Sequence, residues 1–81
     1  MASFYPRLYQ AALALIIEAR NSAGLSRAEL AARFEQPETF VTSYEIGERL
    51  LDPAEFIAIA REIGVDPYEL LQRAELDERG L

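Results

Sequence analysis

Neither cysteine nor histidine occurs among the 81 residues. Without cysteine there are no disulfides or thiolate metal sites, and without histidine the usual general base and the commonest metal ligand are gone. The common serine, cysteine and zinc chemistries therefore lack a necessary member, and no glycine-rich phosphate loop or calcium-loop pattern stands in for them. Asp52 with Glu55, and Glu45 with Glu48, fall side by side at helical spacing. In an acidic chain such carboxylates are read as solvated surface, so no enzyme activity, metal or cofactor is expected. Lysine is missing too, since all eight basic residues are arginine. The longest apolar run is the seven residues from Ala11 to Ile17, where a bilayer needs about 18 to 20. Pro6, Arg7, Tyr9 and Gln10 before this run, with Glu18 and Arg20 after it, also make a poor secretion signal. A cytoplasmic protein without a membrane span is the expectation.

What is present suits one small globular domain. Hydrophobic residues make up 51% of the chain and charged residues 27%, a balance outside the disordered range. A domain of this size buries only about 60% of the surface its unfolded chain exposes, so one small core is expected. The net charge of −6 is unevenly spread. Residues 1–34 hold four arginines against two glutamates, a balance of +2, whereas residues 35–81 hold four arginines against twelve carboxylates, a balance of −8. Any surface that binds an anion must therefore be local and lie towards the first two helices.

The periodicity predicts five short helices and no strand. From Pro6 to about Ala23, Tyr9, Leu13, Ile16 and Ile17 form one apolar stripe, with Gly24 at the exit. Ser26 followed by Glu29 is a capping box, so a second helix starts near Arg27, buries Leu30, Ala31 and Phe34, and ends near Phe34. Glu35 and Gln36 form a turn. Pro37 then opens a third helix, anchored by Phe40, Val41 and Tyr44, that runs to about Glu45 and stops by Gly47. Asp52-Pro53 starts a fourth helix with Phe56, Ile57, Ile59, Ala60 and Ile63 inward, ending at Gly64. Asp66-Pro67 starts a fifth, driven by Leu70, Leu71 and Ala74, whose end is expected to fray through Asp77, Glu78, Arg79 and Gly80. Residues 1–12 are read as an N-terminal arm and the start of helix 1, 13–71 as the domain proper, and 72–81 as the end of helix 5 and its tail. A short helix, a turn and a second short helix, as at Leu25 to Glu45, is how small proteins commonly present a helix to the DNA major groove.

Three stretches carry a more specific signal: Leu25-Ser26 with Leu30-Ala31, the run Phe40 to Arg49 (FVTSYEIGER), and the run Ile59 to Pro67 (IAREIGVDP). In this order and spacing the chain resembles the phage-repressor type of helix-turn-helix domain, the XRE family that includes the lambda repressor and Cro. The resemblance covers Leu13 to Leu71. It implies an all-α, compact five-helix fold and a sequence-specific transcriptional regulator, a homodimer on double-stranded DNA with helix 3 in the major groove. It places Gln36, Glu38, Thr39, Thr42 and Ser43 towards the groove, with Arg27 and Arg49 near phosphates or a base edge. Gln36 suits adenine, Thr39 and Thr42 suit a thymine methyl, and Glu38 suits cytosine N4. Arg20 and Glu45 take positions that form a structural ion pair between helices 1 and 3.

The sequence also departs from the family pattern. Glu35 stands where glycine is common, and Ser43, Ile46 and Leu50 stand where basic residues are common. Between Glu35 and Leu50 there are four glutamates and one arginine, which weakens phosphate binding. The alternative reading is a repressor-like domain that has lost DNA binding and contacts another protein through its acidic, partly apolar helix 3 surface. Leu50 and Leu51 either extend that patch or fold under helix 4. Phe4, Tyr5 and Tyr9 either cover the core or meet a second subunit, and Tyr68 and Leu76 are the other candidates for a subunit contact.

Overall fold

A computed structural model of the chain describes residues 6–80, which contain five helices. They are α1 (Pro6–Ser22), α2 (Arg27–Ala32), α3 (Thr39–Glu45), α4 (Pro53–Ile63) and α5 (Pro67–Arg79), and no strand occurs among the described residues. Phe4 and Tyr5 lie outside that range. None of these helices is long and apolar enough to cross a membrane.

Side-chain chemistry sets the helix ends. Ser26 caps α2 and Asp52 caps α4, each in a reciprocal capping box, with Glu29 and Glu55 reaching back to the cap backbone. The Ser26 backbone N–H, which donates to the Glu29 carboxylate at 2.8 Å, and the nearby Ser26 side chain hold that carboxyl below its ordinary range. Asp66 caps α5 by accepting from the backbone N–H groups of Tyr68 and Glu69. Gly64 ends α4 in the left-handed conformation at φ 97°, which lets the Val65 N–H return to the Ala60 carbonyl at 3.0 Å.

Ile16, Leu30, Ala31, Val41, Tyr44, Ile59, Ala60 and Ala74 form the fully enclosed centre of the core. α1 packs along α5, and α2 against α3, so each short helix is held by its buried face. Tyr9 joins α1 to the loop before α4, its hydroxyl accepting from the Leu51 N–H at 3.1 Å. Leu51 is half-buried against the core and Leu50 is exposed.

Three local readings need correction. α3 begins at Thr39 rather than Pro37, because Pro37 and Glu38 form an entry turn in which their carbonyls accept from Phe40 and Val41. Leu71 is exposed, because the α5 face turned to α1 carries Pro67, Leu70 and Ala74. Leu71 instead borders an apolar groove of about 300 Å³ that Leu8, Tyr9, Phe56 and Ile57 also line. The side chain of Glu45, grouped above with solvated carboxylates, is buried, and α5 is helical to Arg79. Ion pairs between Arg73 and Asp77 and between Glu75 and Arg79 support it, and Arg7 donates to the Glu78 carbonyl at 3.2 Å.

Glu35 is the one non-glycine residue with positive φ among the described residues, at 56°. It ends the α2 turn in Schellman form: the Glu35 N–H donates to the Ala32 carbonyl at 2.9 Å and the Gln36 N–H to the Ala31 carbonyl at 3.1 Å. Left-handed backbone costs an ordinary residue about 1–2 kcal/mol, more than the ~0.4–1 kcal/mol of unfolded-chain entropy that glycine adds. Glu35→Gly is therefore expected to stabilise the protein by roughly 0.5–1 kcal/mol in urea denaturation. Tyr44 gives a second expectation. Burial, then the neighbouring Glu45 carboxylate, push its phenol well above its ordinary value. The native state resists losing that proton while the unfolded chain does not, so stability is complete below about pH 10 and falls above it by up to ~1.4 kcal/mol per pH unit. Alkaline denaturation curves should show this slope in the native chain and lose it in Tyr44→Phe.

Candidate nucleic-acid interface

The helix α3 has only seven residues, too few to persist on its own, so its neighbours must fix its orientation. Val41 and Tyr44 anchor it in the core. At its front end the Phe34 and Phe40 rings meet at 5.5 Å and tie it to the end of α2. At its back end the Glu45 side chain, 1% exposed, lies between two arginines.

Arg20 on α1 donates to Glu45 twice, from Nε to Oε2 at 2.7 Å and from Nη2 to Oε1 at 3.0 Å, and its Nη1 donates to the Leu25 carbonyl at 2.7 Å. These bonds to Glu45 raise the Arg20 pKa further and outweigh the cost of its burial. Arg27 on α2 donates from Nε to Glu45 Oε1 at 2.9 Å. One carboxylate thus bridges three helices, and two guanidinium groups against one carboxylate leave a net positive charge there. The terminal nitrogens of Arg27 have no hydrogen-bond partner among the described residues, and its side chain is 40% exposed.

Arg49, in the loop from α3 to α4, is committed inward. Its Nε donates to Ser43 Oγ at 2.9 Å, its Nη2 to the Phe40 carbonyl at 2.9 Å, and its Nη1 to Glu55 at 2.8 and 3.0 Å. Its guanidinium carbon also lies 5.1 Å from the Phe40 ring centre and 5.7 Å from that of Tyr44. Arg49 therefore braces the loop against α3, and Ser43 is half-buried beneath it. Spacing alone hides this role. The Asp52 and Glu55 pair, three residues apart like Ser26 and Glu29, was the signal that Glu55 would be fixed near the loop.

Gln36, Glu38 and Thr39 are exposed and Thr42 is half-buried. None of the four side chains makes a hydrogen bond or ion pair among the described residues. The structure thus brings Gln36, Glu38, Thr39 and Thr42 to one outward surface, with Arg27 beside the Glu45 end, and it turns Ser43 and Arg49 into the molecule.

The clamp around Glu45 predicts unequal costs. Removing the shared carboxylate leaves the buried Arg20 uncompensated, so Glu45→Ala should cost about 3–5 kcal/mol in urea denaturation. Arg27→Ala removes only a partly solvated partner and should cost less than about 1 kcal/mol. Equal losses for the two variants would contradict this division of labour.

A helix-turn-helix family model, HTH_3, matches residues 16–70, well over half of the chain. Among curated proteins none matches. The chain is similar to a solved structure described as an XRE-family like protein from Pseudomonas syringae pv. tomato str. DC3000. The two share 48% sequence identity and a TM-score of 0.81, over 86% of this chain and 85% of the other. A short α2, a turn closed at Glu35 and an anchored α3 are the geometry that this likeness describes in sequence terms, and the chain belongs to the XRE-type helix-turn-helix family.

Proposed function

We propose that the protein is a non-enzymatic, sequence-specific DNA-binding regulator of transcription whose α3 enters the major groove. The observation that carries this reading is the division of α3 into two faces. Val41, Tyr44 and Glu45 hold the helix, while Gln36, Glu38, Thr39 and Thr42 keep their polar groups unspent. Amide and hydroxyl groups in that state suit base edges and thymine methyls, and the Glu38 carboxylate suits the cytosine amino group. Arg27 has the free guanidinium edge, already oriented by Glu45, that a phosphate contact needs. Ser43 and Arg49, whose polar groups are occupied, act through the helix they support.

A homodimer suits this mode of binding, because two copies present two reader helices to a pseudo-palindromic site. Exposed Tyr68 and Leu76 on α5 supply apolar surface for a subunit contact, whereas Tyr9 spends its hydroxyl on Leu51. With so few free cations near α3, affinity should depend weakly on salt.

Fluorescence anisotropy with random duplexes and genomic fragments, from low to physiological salt, tests the reading. Selective retention of some fragments with a shallow salt slope is expected. Arg27→Ala should weaken all sequences about equally and lower the slope by about one, while Glu38→Ala or Thr42→Ala should change which bases are preferred. Retention of no fragment even at low salt would overturn it.

A further inference from the structure

Ile46 and Leu50 are 56% and 46% exposed and project from one loop, residues 46–50, that bends over the end of α3. The loop is a formed surface rather than a slack connection. The Glu48 and Arg49 N–H groups both donate to the Ser43 carbonyl, at 2.9 and 3.2 Å, and the Arg49 guanidinium fastens the loop to Phe40, Ser43 and Glu55. Two large apolar side chains are thereby held in water on a rigid base.

Charge selects what covers them. Glu48 lies between the two apolar residues in sequence, and Glu38 and Glu35 stand at the opposite end of the short α3, in the turn that leads into it. All three carboxylates are exposed, and none forms an ion pair among the described residues. Arg27, Arg33 and Arg49 are drawn to Glu45, Glu62 and Glu55 instead. Free phosphate offers Ile46 and Leu50 no apolar partner, and Glu48 between them repels an anionic lipid surface. A second copy of the chain would bring a net charge of −6 and set the same carboxylates against each other.

We propose that this loop and the adjoining α3 edge dock a basic segment of another protein, whose apolar side chains cover Ile46 and Leu50 while its cations meet Glu48, Glu38 and Glu35. Such a partner would lie across the end of α3 and exclude anything else from that helix. The inference does not require that α3 reads DNA.

NMR titration of the full-length, isotope-labelled chain tests it with two synthetic amphipathic helical peptides that share the same leucine positions, one rich in lysine and one in glutamate. Lysine-peptide shifts should centre on residues 35–50, with binding that weakens as salt rises and is at least about tenfold tighter than for the glutamate peptide. The paired substitution of Ile46→Ser and Leu50→Ser should lower affinity about tenfold. Glu48→Gln, which disturbs no side-chain contact described above, should lower it with unchanged melting temperature and so keeps the test decisive if the apolar variant is destabilised. Equal binding of both peptides would overturn the proposal, as would shifts centred on the α5 carboxylates or on the apolar groove beside Leu71. So would unchanged affinity in both variants, or no shifts at millimolar peptide.

Discussion

A single buried carboxylate organises the molecule. Glu45, the last residue of α3, accepts hydrogen bonds from Arg20 on α1 and Arg27 on α2. Taking a carboxylate and a guanidinium out of water costs several kcal/mol per ion, and their attraction roughly returns that amount when the geometry is good. The clamp therefore adds orientation more than stability. Apolar packing of Val41 and Tyr44 would hold α3 near the core, but a greasy contact tolerates rotation about the helix axis. The two-pronged Arg20 contact does not, because both prongs fail together if the carboxylate turns.

Fixing α3 in this way has an electrostatic consequence. Arg27 and Arg49 both contact α3, and intramolecular carboxylates engage both. Each contact that stiffens the helix withdraws positive charge from its outward side. Arg27 escapes in part, since only its Nε is used, and it adds one net positive charge at the Glu45 end against three uncompensated glutamates nearby. At physiological ionic strength fields fade within about 8 Å, so the potential beside α3 is set by these local groups.

Most of the fold was legible because its punctuation is chemical and local. Ser26 with Glu29, Asp52 with Pro53, Asp66 with Pro67, and Gly64 each mark a helix end by a side chain or backbone freedom that acts within four residues. The Schellman turn at Glu35 was less visible, because the residue that adopts the left-handed conformation is not the glycine that usually signals it. The charges at the end of α5 were harder to place, because Arg73 pairs with Asp77 and Glu75 with Arg79 along the helix while Arg7 reaches across from α1. The roles of Arg27 and Arg49 depend on distances between elements, of which linear spacing says nothing. Position in a motif located both residues, but not which way their charge was turned.

Anchoring and outward residues share the same seven positions of α3, so one short helix carries both the contacts that hold it and a free polar surface. Val41, Tyr44 and Glu45 carry the contacts that hold α3, so substitutions there are felt through the core and the clamp. Thr39 and Thr42 hold nothing in place, and neither do Glu38 and Gln36 just before them. Their identities are nearly free with respect to stability, as surface changes away from caps and cores usually are. Folding therefore weighs only lightly on the charge of that face, its main preference being for a carboxylate such as Glu38 at the α3 N-terminus.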